Sequence, residues 1–200
     1  MGEIGGEIGK ERVLGGLLKT GQTTQYGGYL DDGYYQKGLS KLYTVLTLGQ
    51  YAGTTSITLN AKTDAHSNNC VYDQRTKLMW SRYVAGSIGP GSDGKLPWTT
   101  NGNGEGAFTF VAAANVAKLG GYDDWRIPNL IELLTLLNSK VSAVVPDPTA
   151  FPSWPGTDAV YTSTTWTFQT VQAATVPFSS NTTSVATKTS AQYCALVRGG

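Results

Sequence analysis

Apolar positions are spread unevenly along this chain, and their spacing divides it. Residues 1–19 carry Ile4, Ile8, Leu14, Leu17 and Leu18 between glycines, with a doubled tetrapeptide, Gly2-Glu3-Ile4-Gly5 and Gly6-Glu7-Ile8-Gly9, ahead of Gly15-Gly16. Glycine at this density opposes a lone helix, and the apolar residues are too few for a core of their own. The segment reads as an anchoring arm that orders only by packing on something else. In residues 20–67, the runs Leu42 to Leu48 and Ser56 to Asn60 contain alternating Val45, Thr47 and Ile57, Leu59, which suit half-buried strands. They predict a small β extension that docks on the main domain or on neighbours.

Residues 68–200 carry the pattern of the main domain. Val71 to Asp73 and Leu78 to Trp80 flank a four-residue turn and predict a hairpin. A long Gly/Pro/Asn-rich loop follows over 85–104, holding Trp98 and Asn101-Gly102-Asn103-Gly104. Residues 106–119 predict a helix ending at Gly120, a fitting glycine for its C-terminal stop. Beyond Pro128, Asn129 is placed to accept from the amide of Glu132, and the Glu132 side chain to reach back to the Asn129 amide. Leu130, Leu133, Leu134 and Leu137 then give a short amphipathic helix. A connector with Pro146, Pro148, Pro152 and Pro155 carries Phe151 and Trp154, and residues 157–198 read as short antiparallel strands. The class is α+β, with two short helices and antiparallel strands, preceded by the Gly-rich arm and the β extension.

Composition narrows the partners. Charged residues make up 14% of the chain, against roughly 25% in an average globular protein, and the formal net charge of +1 offers no electrostatic footprint for nucleic acid or an anionic membrane. No stretch approaches the length of a membrane span, and the N-terminus lacks the pattern of a secretory signal. Myristoylation at Met1-Gly2 would need Ser or Thr where Gly6 stands. If the chain works outside a cell, it is expected to get there by being built into a particle that leaves on lysis, such as a phage virion.

Four pieces occur in order: Asp73-Gln74-Arg75-Thr76-Lys77-Leu78-Met79-Trp80; Gly121-Tyr122-Asp123-Asp124-Trp125-Arg126-Ile127-Pro128-Asn129 continuing to Glu132-Leu133; Tyr161-Thr162-Ser163-Thr164-Thr165; and Leu196-Val197-Arg198. Together they resemble the C-terminal domain family of the Legionella collagen-like adhesin, over about residues 70 to 198. Trp125-Arg126-Ile127-Pro128-Asn129 is the most specific run. Lys77 departs from the family pattern, which has glycine there; if that position is left-handed, a side chain costs roughly 1 kcal/mol. The resemblance implies a C-type-lectin-like fold, which hosts sugar binding, protein binding and, in a distant branch, an oxidase of sulfatase cysteines; fold alone does not choose among them.

The resemblance also frames the candidate chemistry. Lectins of this fold hold calcium through Asp, Asn, Glu and carbonyl oxygens, so Asp123 and Asp124 are the candidate metal ligands, with Asp31-Asp32 a second carboxylate pair. Arg126 argues for the bland alternative, a structural network from Arg126 to those aspartates. In such a fold the first and last strands pair, which would bring Cys70 and Cys194 near each other as a disulfide; the other reading is two reduced, half-buried thiols. Too few ligands accompany Cys70, Cys194 and the lone His66 for a zinc site, and His66 lies in a polar loop that suits a solvated surface histidine. An enzyme of the sulfatase-cysteine oxidase type is a third, disfavoured alternative, because Cys70 and Cys194 lie at the two ends of the domain with no neighbouring motif, and no nucleophile elbow, P-loop, dinucleotide fingerprint or metalloprotease motif is present. Trp80, Trp125 and Trp166 read as core anchors, whereas Trp98 and Trp154, with Asn101 and Asn103, are the candidates for exposed sugar-stacking or protein contacts. The motif residues Asp73, Trp80, Trp125, Arg126, Pro128, Asn129, Glu132 and Arg198 are expected to be structural. These readings converge on a non-enzymatic virion component that attaches to the particle through residues 1–19, recognises a host-surface glycan, or does both. A bacterial envelope or secreted adhesin is the alternative.

Overall fold

The structure, a computed structural model, describes residues 18–19, 22, 24–25, 38–46, 70–85, 93–99, 104–137, 146–152, 154–156, 158–180 and 182–199. The hairpin forms as β2 (Cys70–Asp73) and β3 (Met79–Ser81), in antiparallel register with Val71 opposite Trp80. Its turn is built by Asp73. The Asp73 amide donates to Leu78 O at 2.8 Å, and its carboxylate accepts from the amides of Arg75 at 2.9 Å and Thr76 at 3.4 Å. Lys77 closes the turn with φ 63°, so the left-handed conformation persists although a lysine stands there.

Two sheets carry the domain. In the first the order is β1-β2-β3-β9, with β1 spanning Tyr43–Leu46 and β9 spanning Val197–Arg198. The predicted β extension therefore contributes a strand to the domain's own sheet: Tyr43 to Leu46 pair antiparallel with Asp73 to Cys70. Leu18, from the predicted arm, forms a parallel bridge to Leu39. The second sheet runs β4-β8-β5-β6-β7, from Lys95–Pro97, Ala191–Tyr193, Ala159–Thr165, Gln172–Pro177 and Ser184–Thr187. It is antiparallel except where β5 meets β8 in parallel at Val160 and Tyr193. The Ser56 to Asn60 run, Asp31, Asp32 and His66 lie outside the described residues.

Two helices complete the α+β architecture. Helix α1 (Ala107–Val116) buries Ala107, Phe110 and Ala114, a three-and-four spacing that turns one narrow face inward. Thr109 reaches back to its start, its hydroxyl accepting from the Gly106 amide and donating to Gly106 O, both at 2.8 Å. The helix stops at Val116, a turn earlier than the sequence predicts, because Lys118 takes the left-handed conformation after the Ala117 cap. Gly120 is left-handed two residues later, where a Cβ would stand 2.6 Å from Cys70 Sγ. Helix α2 (Leu130–Leu134) carries the predicted cap: Asn129 Oδ1 accepts from the Glu132 amide at 2.9 Å, and Glu132 Oε2 from the Asn129 amide at 2.8 Å. Five residues cannot hold a helix in isolation, so packing does. Leu133 is buried, Leu136 just beyond the helix is buried too, and Leu130, Leu134 and Leu137 pack against the same core.

That core has two parts. One gathers Phe110, Leu119, Trp125, Tyr161, Leu96 and Leu196 under α1. The other gathers Trp80, Phe151, Trp154, Phe178, Leu133 and Leu136 between the first sheet and α2.

Candidate functional site

The motif residues hold one another and the backbone around them. Trp125 is buried, donates Nε1–H to Leu119 O at 2.8 Å, and has both backbone groups held by Asn115, whose side chain accepts from Trp125 N at 2.7 Å and donates to Trp125 O at 2.9 Å. The next residue, Arg126, exchanges two backbone hydrogen bonds with Val197 at 2.9 Å each. Its guanidinium forks onto Glu132, at 2.7 Å and 2.6 Å, and donates to Gly199 O at 3.0 Å. Burial alone would push the Glu132 carboxyl up, but the Arg126 hydrogen bond, the Asn129 amide and the Arg126 charge outweigh it and hold the group below its ordinary value. Pro128 is buried, its carbonyl accepts from Ser163 N at 2.8 Å, and Leu130 N donates to Thr164 Oγ1 at 3.1 Å. One short segment thereby ties α1, α2, β5 and β9 together.

A different surface has the chemistry of recognition. Trp98, at the end of β4, is half-buried and donates its indole N–H to Thr162 O at 2.9 Å. Phe108 of α1 stands edge-on to it, centroids 4.7 Å apart, and remains 48% exposed. Trp98, Thr99, Gly106, Phe108 and Thr109 line a cleft of about 190 Å³. Lys188 places its ammonium 4.2 Å from the centre of the Trp98 ring and donates to Thr165 Oγ1 at 2.9 Å. Its backbone amide donates to Val171 O at 2.8 Å and its carbonyl accepts from Thr99 N at 3.1 Å. Those bonds link the cleft's Thr99, through Lys188, to the β5–β6 turn, where Trp166, Phe168 and Val171 are exposed and the rings of Trp166 and Phe168 lie 5.9 Å apart. From Ala159 to the end of the chain there is no Asp or Glu.

The family model described as the Lcl C-terminal domain matches residues 69–198. The chain belongs to the Lcl C-terminal domain family. This is an adhesin-like family. Comparison with curated proteins and with solved structures gave no match.

Within this Lcl domain several expectations change. Trp154 is not an exposed contact: it is 6% exposed and meets Trp80, Phe151 and Phe178 ring to ring at 6.3, 5.0 and 5.6 Å. Trp166 is not a core anchor but 40% exposed on the turn. Trp80 and Trp125 are core. Trp98 is half-buried rather than free on a loop, and Asn101 and Asn103 lie outside the described residues. Arg126 pairs with Glu132 rather than with Asp123 or Asp124. Arg198 takes Asp124 instead, at 2.5 and 3.1 Å, while lying 3.6 Å over the Tyr122 ring. The Arg198 hydrogen bond holds the Asp124 carboxyl below its usual range, and a carboxylate neutralised by arginine is a poor cation ligand. Among the described residues no three His, Cys, Asp or Glu side chains group as a metal site.

Cys70 and Cys194 are free thiols and fully buried rather than half-buried. Burial pushes the Cys70 thiol up to about 12 and the Cys194 thiol up as well, the reverse of what a nucleophilic thiolate needs. No described helix is long and apolar enough to cross a membrane. Sequence reasoning missed Asn115, Phe108, Phe168 and Lys188. Asn115 had a legible signal, a lone amide in an alanine-rich helix, but its partner is ten residues on.

Proposed function

We propose that this Lcl domain is a non-enzymatic attachment module whose ligand, a host-surface glycan, binds along the face from Phe108 through Trp98 and Lys188 to Trp166 and Phe168. The observation that carries the reading is the grouping itself. Exposed Phe108 lines the Trp98 cleft with Thr99 and Thr109, and Lys188, over the Trp98 ring and bonded to Thr165 Oγ1 and Val171 O, links that cleft to the turn that bears exposed Trp166, Phe168 and Val171. Flat rings with hydroxyl neighbours suit stacking on a sugar face with hydrogen bonds at its edge. A C-type-lectin-like arrangement is part of the proposal, supported by the pairing of the closing strand β9 with β3 of the opening hairpin. The setting we propose is a phage particle, with the Gly-rich segment of residues 1–19 as the attachment to other subunits.

Glycan-array binding, with and without calcium, tests the reading. Binding that Trp98→Ala and Phe168→Ala each reduce at least about tenfold, without calcium dependence, supports it. An array without any ligand for the folded protein rejects glycan recognition.

A further inference from the structure

Strand β5 leaves its ladder with β6 part-way. Tyr161 pairs with Thr175 and Thr165 with Ala173, so Thr162, Ser163 and Thr164 stand against the single residue Ala174. Main-chain groups that leave a ladder bond elsewhere, and a bulge re-aims the residues it holds. The fully buried Thr162 bridges the gap with its hydroxyl, which donates to Ala174 O at 2.8 Å and accepts from Thr164 N at 3.2 Å. Thr162 O accepts the Trp98 indole N–H at 2.9 Å, and Ser163 N donates to Pro128 O at 2.8 Å. Thr164 Oγ1 accepts from Leu130 N, at the start of α2, at 3.1 Å. Thr165 Oγ1 accepts from the Lys188 ammonium at 2.9 Å. The outer two of these consecutive residues hold the cleft, and the inner two hold the motif around Pro128.

Trp98 follows β4 and Lys188 follows β7, so a ring and an ammonium 4.2 Å apart are drawn from two separate strands. The backbone of Lys188 is tied to Thr99 and Val171, and Thr165 aims its side chain. A lysine already held in this way has less rotamer freedom left to lose when a ligand arrives. On the ligand face proposed above, on which this assignment rests, we propose that Thr162 and Thr165 are positioning residues. Thr162 sets the Trp98 ring, Thr165 sets the Lys188 ammonium, and the bulge between them couples both to the seat of α2 on β5. A shift at Leu130 is thereby transmitted to Trp98, although α2 contributes no residue to the cleft lining.

Fluorine NMR of the full-length protein labelled with 5-fluorotryptophan reads the placement of Trp98 without any glycan, its resonance being assigned from Trp98→Phe. Thr162→Val and Thr164→Val remove the hydroxyls at nearly constant volume. Both are expected to shift the Trp98 resonance while those of Trp80 and Trp154, in the other part of the core, stay in place; Thr164→Ser, which keeps the hydroxyl, should restore the wild-type position. Thr165→Val should also shift Trp98, but not in a Lys188→Met background, since it acts through Lys188. Thr162 is fully buried, so if Thr162→Val does not fold, Thr164→Val and Thr165→Val decide the matter. A folded Thr164→Val protein with an unmoved Trp98 resonance overturns the coupling, and an equal effect of Thr165→Val with Lys or Met at position 188 overturns the positioning role. Against a glycan captured on the array, Thr165→Val should weaken binding about threefold to tenfold, the cost of immobilising one long side chain, with little change in melting temperature; unchanged affinity would overturn its role in recognition. The resonance shifts need no ligand, so an array without any ligand rejects the glycan reading alone.

Discussion

Replacing Lys77 with glycine is expected to stabilise the protein, against the usual direction of a glycine substitution. Lys77 sits at φ 63° in the β2–β3 turn, where a Cβ approaches the following carbonyl and costs about 1–2 kcal/mol for an L-residue. The conformation is imposed by its neighbours. Lys77 N donates to Asp73 O at 2.9 Å while the Asp73 carboxylate holds the amides of Arg75 and Thr76, so the turn cannot relax without breaking the buried Asp73. The lysine side chain is exposed, which leaves little contact to lose. Against the relieved strain stands the larger entropy that glycine gives the unfolded chain, about 0.5–1 kcal/mol. The net gain is expected near 0.5–1 kcal/mol. Urea titration of Lys77→Gly and Lys77→Ala reads it: glycine should raise the midpoint at unchanged slope, and alanine, which keeps the strain and removes the charge, should leave it almost in place. If alanine stabilises as much as glycine, charge and not backbone geometry is responsible. If glycine destabilises, the left-handed assignment is wrong.

Asn129→Ala should cost about 1 kcal/mol as a lost N-cap, read from denaturant midpoints. Arg126→Ala should cost more, about 2 kcal/mol, because it leaves the carboxylate of Glu132 without its forked partner; the half-exposed guanidinium keeps this below the loss from a fully buried pair, and an unchanged melting temperature would remove Arg126 from that role. Gly120→Ala should destabilise beyond the strain of its φ of 62°, since the new methyl meets Cys70 Sγ; adding Cys70→Ala should restore part of the loss, and failure to do so would place the problem elsewhere. Burial lowers the Lys41 ammonium to about 8 from its ordinary value of 10.5, so the unfolded chain binds the extra proton between those values and stability should rise with pH across that window, by up to about 3 kcal/mol. Below pH 8 the penalty is fully present. Lys41→Met should flatten the rise in urea midpoints between pH 8 and 10.5, and an unchanged profile would assign it to another group.

Local chemistry made several elements readable from the chain alone. The Asn129–Glu132 cap and the helix after it follow from residues three apart, and the hairpin around Asp73 from strand runs separated by a short turn. The α+β class follows from periods of two and of three to four alternating along one domain, and the family from motifs kept in order. What sequence order could not supply was which charges meet. Asp123 and Asp124 are close to Arg126 in the chain, yet the backbone of Arg126 is pinned to Val197 and its guanidinium is carried to Glu132, while Arg198 arrives from the far end of the chain to take Asp124. The tryptophans sort by the same cause. Trp154 sits among prolines like a loop residue but is folded back onto Trp80 and Phe178, and Trp166, in a strand-rich region, falls on the turn after β5 and faces solvent. Polarity of near neighbours sets local conformation. Burial and pairing depend on contacts between segments tens of residues apart, and only the packed sheets bring those segments together.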